Sequence, residues 1–151
     1  MDHAGVMNSC DIKAQRVGLS RLTAAERVVV LVSRANFEIE LGGLDAFYYN
    51  SAGDEAVATV AALKAVGATQ AASALREANA LFPGGSPPPD REKRFAGLEV
   101  VRQLPSRPLS SLEKKVSRDK PDVFSRLCDF IEAHAKELQA HADGGQQNVC
   151  T

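Results

Sequence analysis

At 151 residues, 44% of them hydrophobic, the chain is long enough for one domain with a substantial core. Six Phe, two Tyr and no Trp leave that core to Ala, Val and Leu, which suits closely packed helices. A formal net charge of −1 excludes a global field for holding nucleic acid or an anionic membrane.

Residues 1–20 mix Gly, Asn, Ser and charges without a sustained period and read as a flexible N-terminal arm. Thr23-Ala24-Ala25-Glu26 is a capping box, in which the hydroxyl takes the third amide and the carboxylate returns to the cap. The run Val28 to Val32 suits a buried strand as well as a helix. Leu22, Ala25, Val29, Val32, Ala35 and Ile39 keep helical spacing, so a helix is predicted to about Glu40, ended by Gly42-Gly43. Phe47-Tyr48-Tyr49 then form a short aromatic helical turn. Neighbours on a helix point roughly 100° apart, so Phe47 is expected in the core, with one tyrosine half-buried and one exposed. Tyr48 is the candidate for an aromatic partner contact.

Asp54 is the predicted N-cap of a helix running to Val66, and Thr69 of the next, which Pro83 stops. Both are Ala-rich, which predicts an antiparallel hairpin of closely approaching helices around Gly67-Ala68. Gly84 to Pro89, with three prolines, reads as an exposed loop. Asp90 is placed to cap a helix through Phe95, Leu98 and Val101, and a short helix carrying Leu109, Leu112 and Val116 has Lys114, Lys115 and Arg118 outside. Pro121 is placed in the first turn of the last helix, with Asp119 or Lys120 before it. Its apolar stripe is Phe124, Leu127, Cys128, Ile131, Ala135 and Leu138, and Gly144-Gly145 ends it. The reading is all-α: a single compact domain of about six or seven helices over 21–142, with a disordered tail at 143–151.

Chemistry-bearing motifs are sparse. Gly42-Gly43 lacks the spacing of a phosphate-binding loop. His134 and His141, seven apart, bring no converging ligand set, His3 falls in the arm, and Cys128 reads as a small core hydrophobe. No sequence context marks a cysteine as a nucleophile. No metal, no cofactor and no catalytic residue is predicted, and the chain is read as not an enzyme. The charge is bipolar. Residues 26–55 hold six acids against two bases, whereas 107–120 hold five bases against two acids. Three cysteines, two near the termini, make no disulfide framework. Neither a secretory signal nor an apolar run of membrane-spanning length is apparent, so a cytoplasmic location is expected.

Gly42-Gly43, Phe47, Tyr49-Asn50, Gly53-Asp54 and Phe82-Pro83 together resemble a bacterial family of small all-helical proteins that carry a domain of unknown function. Its best-known type is a DNA mimic protein. The resemblance covers roughly 22–141; Leu41 and Leu44 stand where that family usually has Asn and Phe. It implies an all-helical, bacterial, regulatory protein that binds another protein, of the kind whose DNA-binding face an acidic surface could occupy. The acids available are Glu38, Glu40, Asp45, Asp54 and Glu55. No direct nucleic acid and no membrane partner is expected, and the oligomeric state is left open, a homodimer included. The alternatives are an immunity or antitoxin-like protein that blocks a toxin, a small-molecule binder or enzyme of unknown type, and a weak nucleic-acid binder using Lys114, Lys115, Arg118 and Lys120.

Overall fold

A computed structural model describes residues 1–138. His141, Cys150, the Gly144-Gly145 stop and the 143–151 tail lie outside the described residues. Helices follow one another as α1 (His3–Val17), α2 (Ala24–Tyr49), α3 (Ala56–Ala65), α4 (Thr69–Ala80), α5 (Arg91–Arg102), α6 (Pro108–Val116) and α7 (Val123–Ala133). Short 3-10 turns occur at Leu19–Arg21, Ser51–Glu55 and Pro83–Gly85. The all-helical class is as expected.

α2 is the axis of the domain and packs against α1, α3, α5, α6 and α7. That position explains the valine run. Val29, Val30 and Val32 are wholly buried and Leu31 nearly so, because a helix surrounded by others is apolar around most of its circumference. The capping box forms: Thr23 Oγ1 accepts the Glu26 N–H at 3.2 Å and Glu26 Oε1 accepts the Thr23 N–H at 2.8 Å. α3 and α4 form the Ala-rich hairpin, with Ala56, Ala62, Ala71, Ala72, Ala74 and Ala78 buried, and α4 packs on α6.

Several expectations are corrected. Residues 1–20 are not a free arm: α1 is capped by Asp2 and docks through Val6, Cys10 and Ala14, spaced four apart. Lys13 reaches the buried Glu26 at 3.1 Å, Arg34 reaches Asp11 at 2.6 Å, and His3 meets Glu132 of α7 at 2.9 Å. The docking stripe is too narrow and too small in its side chains to announce itself in sequence. α7 starts at Val123 on an Asp122 cap, after Pro121 rather than around it. Phe124 therefore faces out, and Val123, Leu127, Ile131 and Leu138 make the buried stripe. Thr69 is the first residue of α4 and not its cap, which comes from Asp119.

Candidate partner-binding surface

The glycine pair breaks α2 as expected. Gly42 and Gly43 are both non-helical, and Gly43 has φ +73°, so the chain turns and restarts at Leu44. A restarting helix has unsatisfied amides. The Leu44 N–H is taken at 2.8 Å by Oε1 of Glu113, from the middle of α6. This second segment of α2 carries the aromatic triplet. Phe47 is fully buried. Tyr48 is also buried, its hydroxyl donating to Asn79 Oδ1 at 2.7 Å, while Asn79 Nδ2 donates to the Ala56 carbonyl. Tyr48 therefore presents no surface, and the exposed ring is Tyr49. That ring packs edge-on against Phe95 of α5 and carries the Arg91 guanidinium over its face.

Arg94 organises the next stretch. Its guanidinium is fully buried and donates to the carbonyls of Tyr48, Asn50, Pro88 and Pro89 and to Oδ1 of Asp54, at 2.7 to 3.1 Å. Two expectations change here. Asp54 sits inside the Ser51–Glu55 turn and pairs with Arg94 instead of capping α3. The proline loop is tied down, with Pro87 buried. Gly53 is buried, and a Cβ there would stand 2.7 Å from the Phe47 carbonyl and 2.8 Å from Arg94 Nε, so the close approach leaves no room for a side chain.

The five candidate acids therefore fare differently. Asp45 is held by Arg102 through both oxygens, at 2.6 and 2.7 Å, and Asp54 by Arg94. Glu38 Oε2 accepts from Asn50 Nδ2 at 2.8 Å, and only Glu38, Glu40 and Glu55 lack a cationic partner among the described residues. What the sequence did not announce is the apolar pair beside them. Phe37 and Leu41, one helical turn apart, are 62% and 68% exposed at the end of the first segment of α2. Phe37 and Glu38 border an open groove of about 640 Å³ between α1, α2 and the 3-10 turn. Its other walls include Met7, Gln15 and Ala52, and the Asp11–Arg34 pair joins the two helices across it.

Among the described residues no group of three or more His, Cys, Asp and Glu side chains comes together as a metal site. His134 stacks on Phe130 at 4.0 Å and bonds its carbonyl through Nδ1. The Cys10 thiol is pushed up to about 11 by burial, assisted by the Glu26 carboxylate, and the Cys128 thiol is raised for the same main reason. Neither is an activated nucleophile. No described helix is long and apolar enough to cross a membrane.

Comparisons with curated proteins and with solved structures give no match. The glycine-broken α2, the buried aromatic pair and the Gly53–Arg94 contact all lie within residues 20–134, the stretch that matches the model of the DMP19-like proteins. With that match spanning more than half of its length, the chain belongs to the DMP19-like protein family.

Proposed function

We propose that this protein works by binding another protein, without catalysis, and that it docks through the acid-edged apolar end of α2. The observation that carries the reading is the exposure of Phe37 and Leu41 on one face, with Glu38 and Glu40 beside them and a groove alongside. Two large apolar groups left in water side by side offer an anchor, and a few anchors carry most of the affinity in protein interfaces. The carboxylates add orientation and select a basic partner surface. A basic face of a DNA-binding protein fits this chemistry and the DNA-mimic type that the family resemblance suggests. Mimicry here is local: with Asp45 and Asp54 neutralised by arginines, the acids left are Glu38 and Glu40, which flank the apolar pair on opposite sides of α2, and Glu55, not a phosphate-like array.

The test is capture of proteins from the source cell's lysate on the immobilised chain, at about 50 and 500 mM salt. Wild type is compared with Phe37→Ser/Leu41→Ser and with Glu38→Gln/Glu40→Gln/Glu55→Gln. The expected result is a basic DNA-binding protein retained at low salt, released at high salt and lost by both variant chains. Equal retention of that protein by both variants would remove this surface from the interface.

A further inference from the structure

The basic segment after α5 is more basic outside than its sequence says. Between residues 103 and 122 there are three acids, Glu113, Asp119 and Asp122, and all three serve as caps for helix starts. Glu113 takes the Leu44 N–H, where α2 restarts. Asp119, buried, takes the Gln70 and Ala71 amides of α4 at 3.1 and 2.8 Å. Asp122 takes the Ser125 N–H of α7 at 2.8 Å, a bond that lowers its pKa with help from the nearby Lys120. Asp119 is buried and Glu113 half-buried, so both carboxylates are drawn back from the surface that the bases occupy, whereas Asp122 stays exposed near Lys120.

The five bases divide the other way. Lys115 turns onto α4, donating to Ser73 Oγ at 2.8 Å and lying 3.4 Å from Glu77. Arg107, Lys114, Arg118 and Lys120 are all exposed, and none has an ion-pair partner among the described residues. Arg107, Lys114 and Arg118 follow the spacing i, i+7, i+11 along α6 and the turn after it. Ser111 and Lys114 lie within α6 itself, Arg107 is its left-handed N-cap and Arg118 falls in the turn after Ser117, so the four run from one end of the helix to the other over on the order of 15 Å. Lys120 continues from its end, on a loop fixed by Arg126, whose guanidinium donates to the Lys120 and Pro121 carbonyls at 3.1 and 2.9 Å.

We propose that this stripe is a second binding surface, and that its ligand is the phosphate backbone of a nucleic acid. Charge complementarity points to an anion, and the surroundings choose the class. None of the well-exposed large apolar side chains of the described residues falls between 103 and 122. Leu109 is buried there, and Leu112 and Val116 pack on the core. The stripe therefore offers a partner charge and hydroxyls but no apolar or aromatic anchor. Lysine, arginine and exposed serines (Ser110, Ser111 and Ser117) are the side chains that hold phosphate oxygens. Phosphates repeat about every 3.4 Å of rise along a strand, so the stripe faces roughly four of them. The surface adjoins the protein-docking end of α2, since Glu113 beside Lys114 bonds Leu44 just past Leu41, and it reverses the expectation drawn from net charge, which averages over faces.

The experiment is fluorescence anisotropy with labelled duplexes of about 20 base pairs, one DNA and one RNA, at about 50 and 200 mM salt. The four-site variant Arg107→Gln/Lys114→Gln/Arg118→Gln/Lys120→Gln is compared with a charge-matched control, Arg16→Gln/Arg21→Gln/Lys93→Gln/Lys136→Gln, both checked for helix content. Wild type should bind, losing roughly a hundredfold in affinity across that salt range for about four neutralised phosphates. The control should keep that binding and the stripe variant lose it. Equal loss in both variants, absence of binding to either duplex, or tighter binding of a poly-glutamate of equal charge would each overturn the proposal.

Discussion

Glu113 and Leu44, 69 positions apart in the chain, are joined by a 2.8 Å hydrogen bond that caps the second segment of α2 from the flank of α6. The bond requires Gly43. Its φ of +73° is costly for any side chain, and a Cβ there would overlap the Glu113 carboxylate. Gly43→Ala is expected to destabilise by about 2 kcal/mol or more, through backbone strain and the displaced cap together. Glu113→Ala should cost about 1 kcal/mol. Because both act on one contact, the double variant should lose less than the sum of the two. Urea melts of the three chains settle it, and strict additivity would separate the glycine from the cap.

Arg94 is the more demanding position. Removing its guanidinium strands four carbonyls and the Asp54 carboxylate at a buried junction of α2, the Ser51–Glu55 turn and the proline loop. Arg94→Met is expected to cost about 3–5 kcal/mol. Arg94→Lys should recover only part of that, since a single ammonium cannot serve acceptors arranged for a fork. Asp54→Asn should be far milder, about 1 kcal/mol, because the Asp54 side chain is 45% exposed and four carbonyls still hold the arginine. Thermal unfolding that ranks Asp54→Asn as the worst of the three would contradict this order.

What the sequence disclosed follows from how local each signal is. The capping box at Thr23, the Asp90 cap and the glycine break of α2 are contained in a few consecutive residues, and each was legible. Glu113 and Asp119 cap helices 69 and 49–48 positions away, and Arg94 reaches back 40 to 46 residues to the turn around Gly53. No short window contains those pairs, so Asp54 read as a cap and Glu113 was only counted among the charges of 107–120. The aromatic triplet divided as helical geometry requires, but which tyrosine turned inward depended on Asn79, on another helix. The candidate site was half visible. Its acids could be counted, but their neutralisation by Arg94 and Arg102, and the exposure of Phe37 and Leu41, are tertiary facts.

Tyr48→Phe should test that inward tyrosine. The change leaves Asn79 Oδ1 buried without its donor, a loss of about 1–2 kcal/mol. Burial also pushes the Tyr48 phenol well above its ordinary value. A raised folded-state pKa means the unfolded chain ionises first. This contribution to stability is therefore complete below about pH 10 and declines as pH rises beyond it. The decline between about pH 9.5 and 11 should be shallower in Tyr48→Phe than in wild type. Parallel pH profiles for the two chains would show that Tyr48 ionises in the folded state.

Cys10 gives a separate reading on α1. It is buried between α1 and the rest of the core, and its thiol is pushed up to about 11, so in the folded protein it stays protonated where a free thiol would react. Iodoacetamide at about pH 8.5, followed by peptide mapping, should leave Cys10 unmodified for as long as α1 remains docked. The linkage has the same sign as for Tyr48: the stabilisation is present below the ordinary thiol value and is lost as pH rises toward 11. Arg34→Ala removes the 2.6 Å tie to Asp11 that holds α1 on α2 beside the groove. Cys10 alkylation should accelerate in that variant by about twofold to fivefold, the size of a partly exposed ion pair worth under 1 kcal/mol. Rapid labelling of Cys10 in the wild-type chain would show instead that α1 leaves the core on its own. The groove bordered by Met7 and Gln15 would then have no fixed wall on that side.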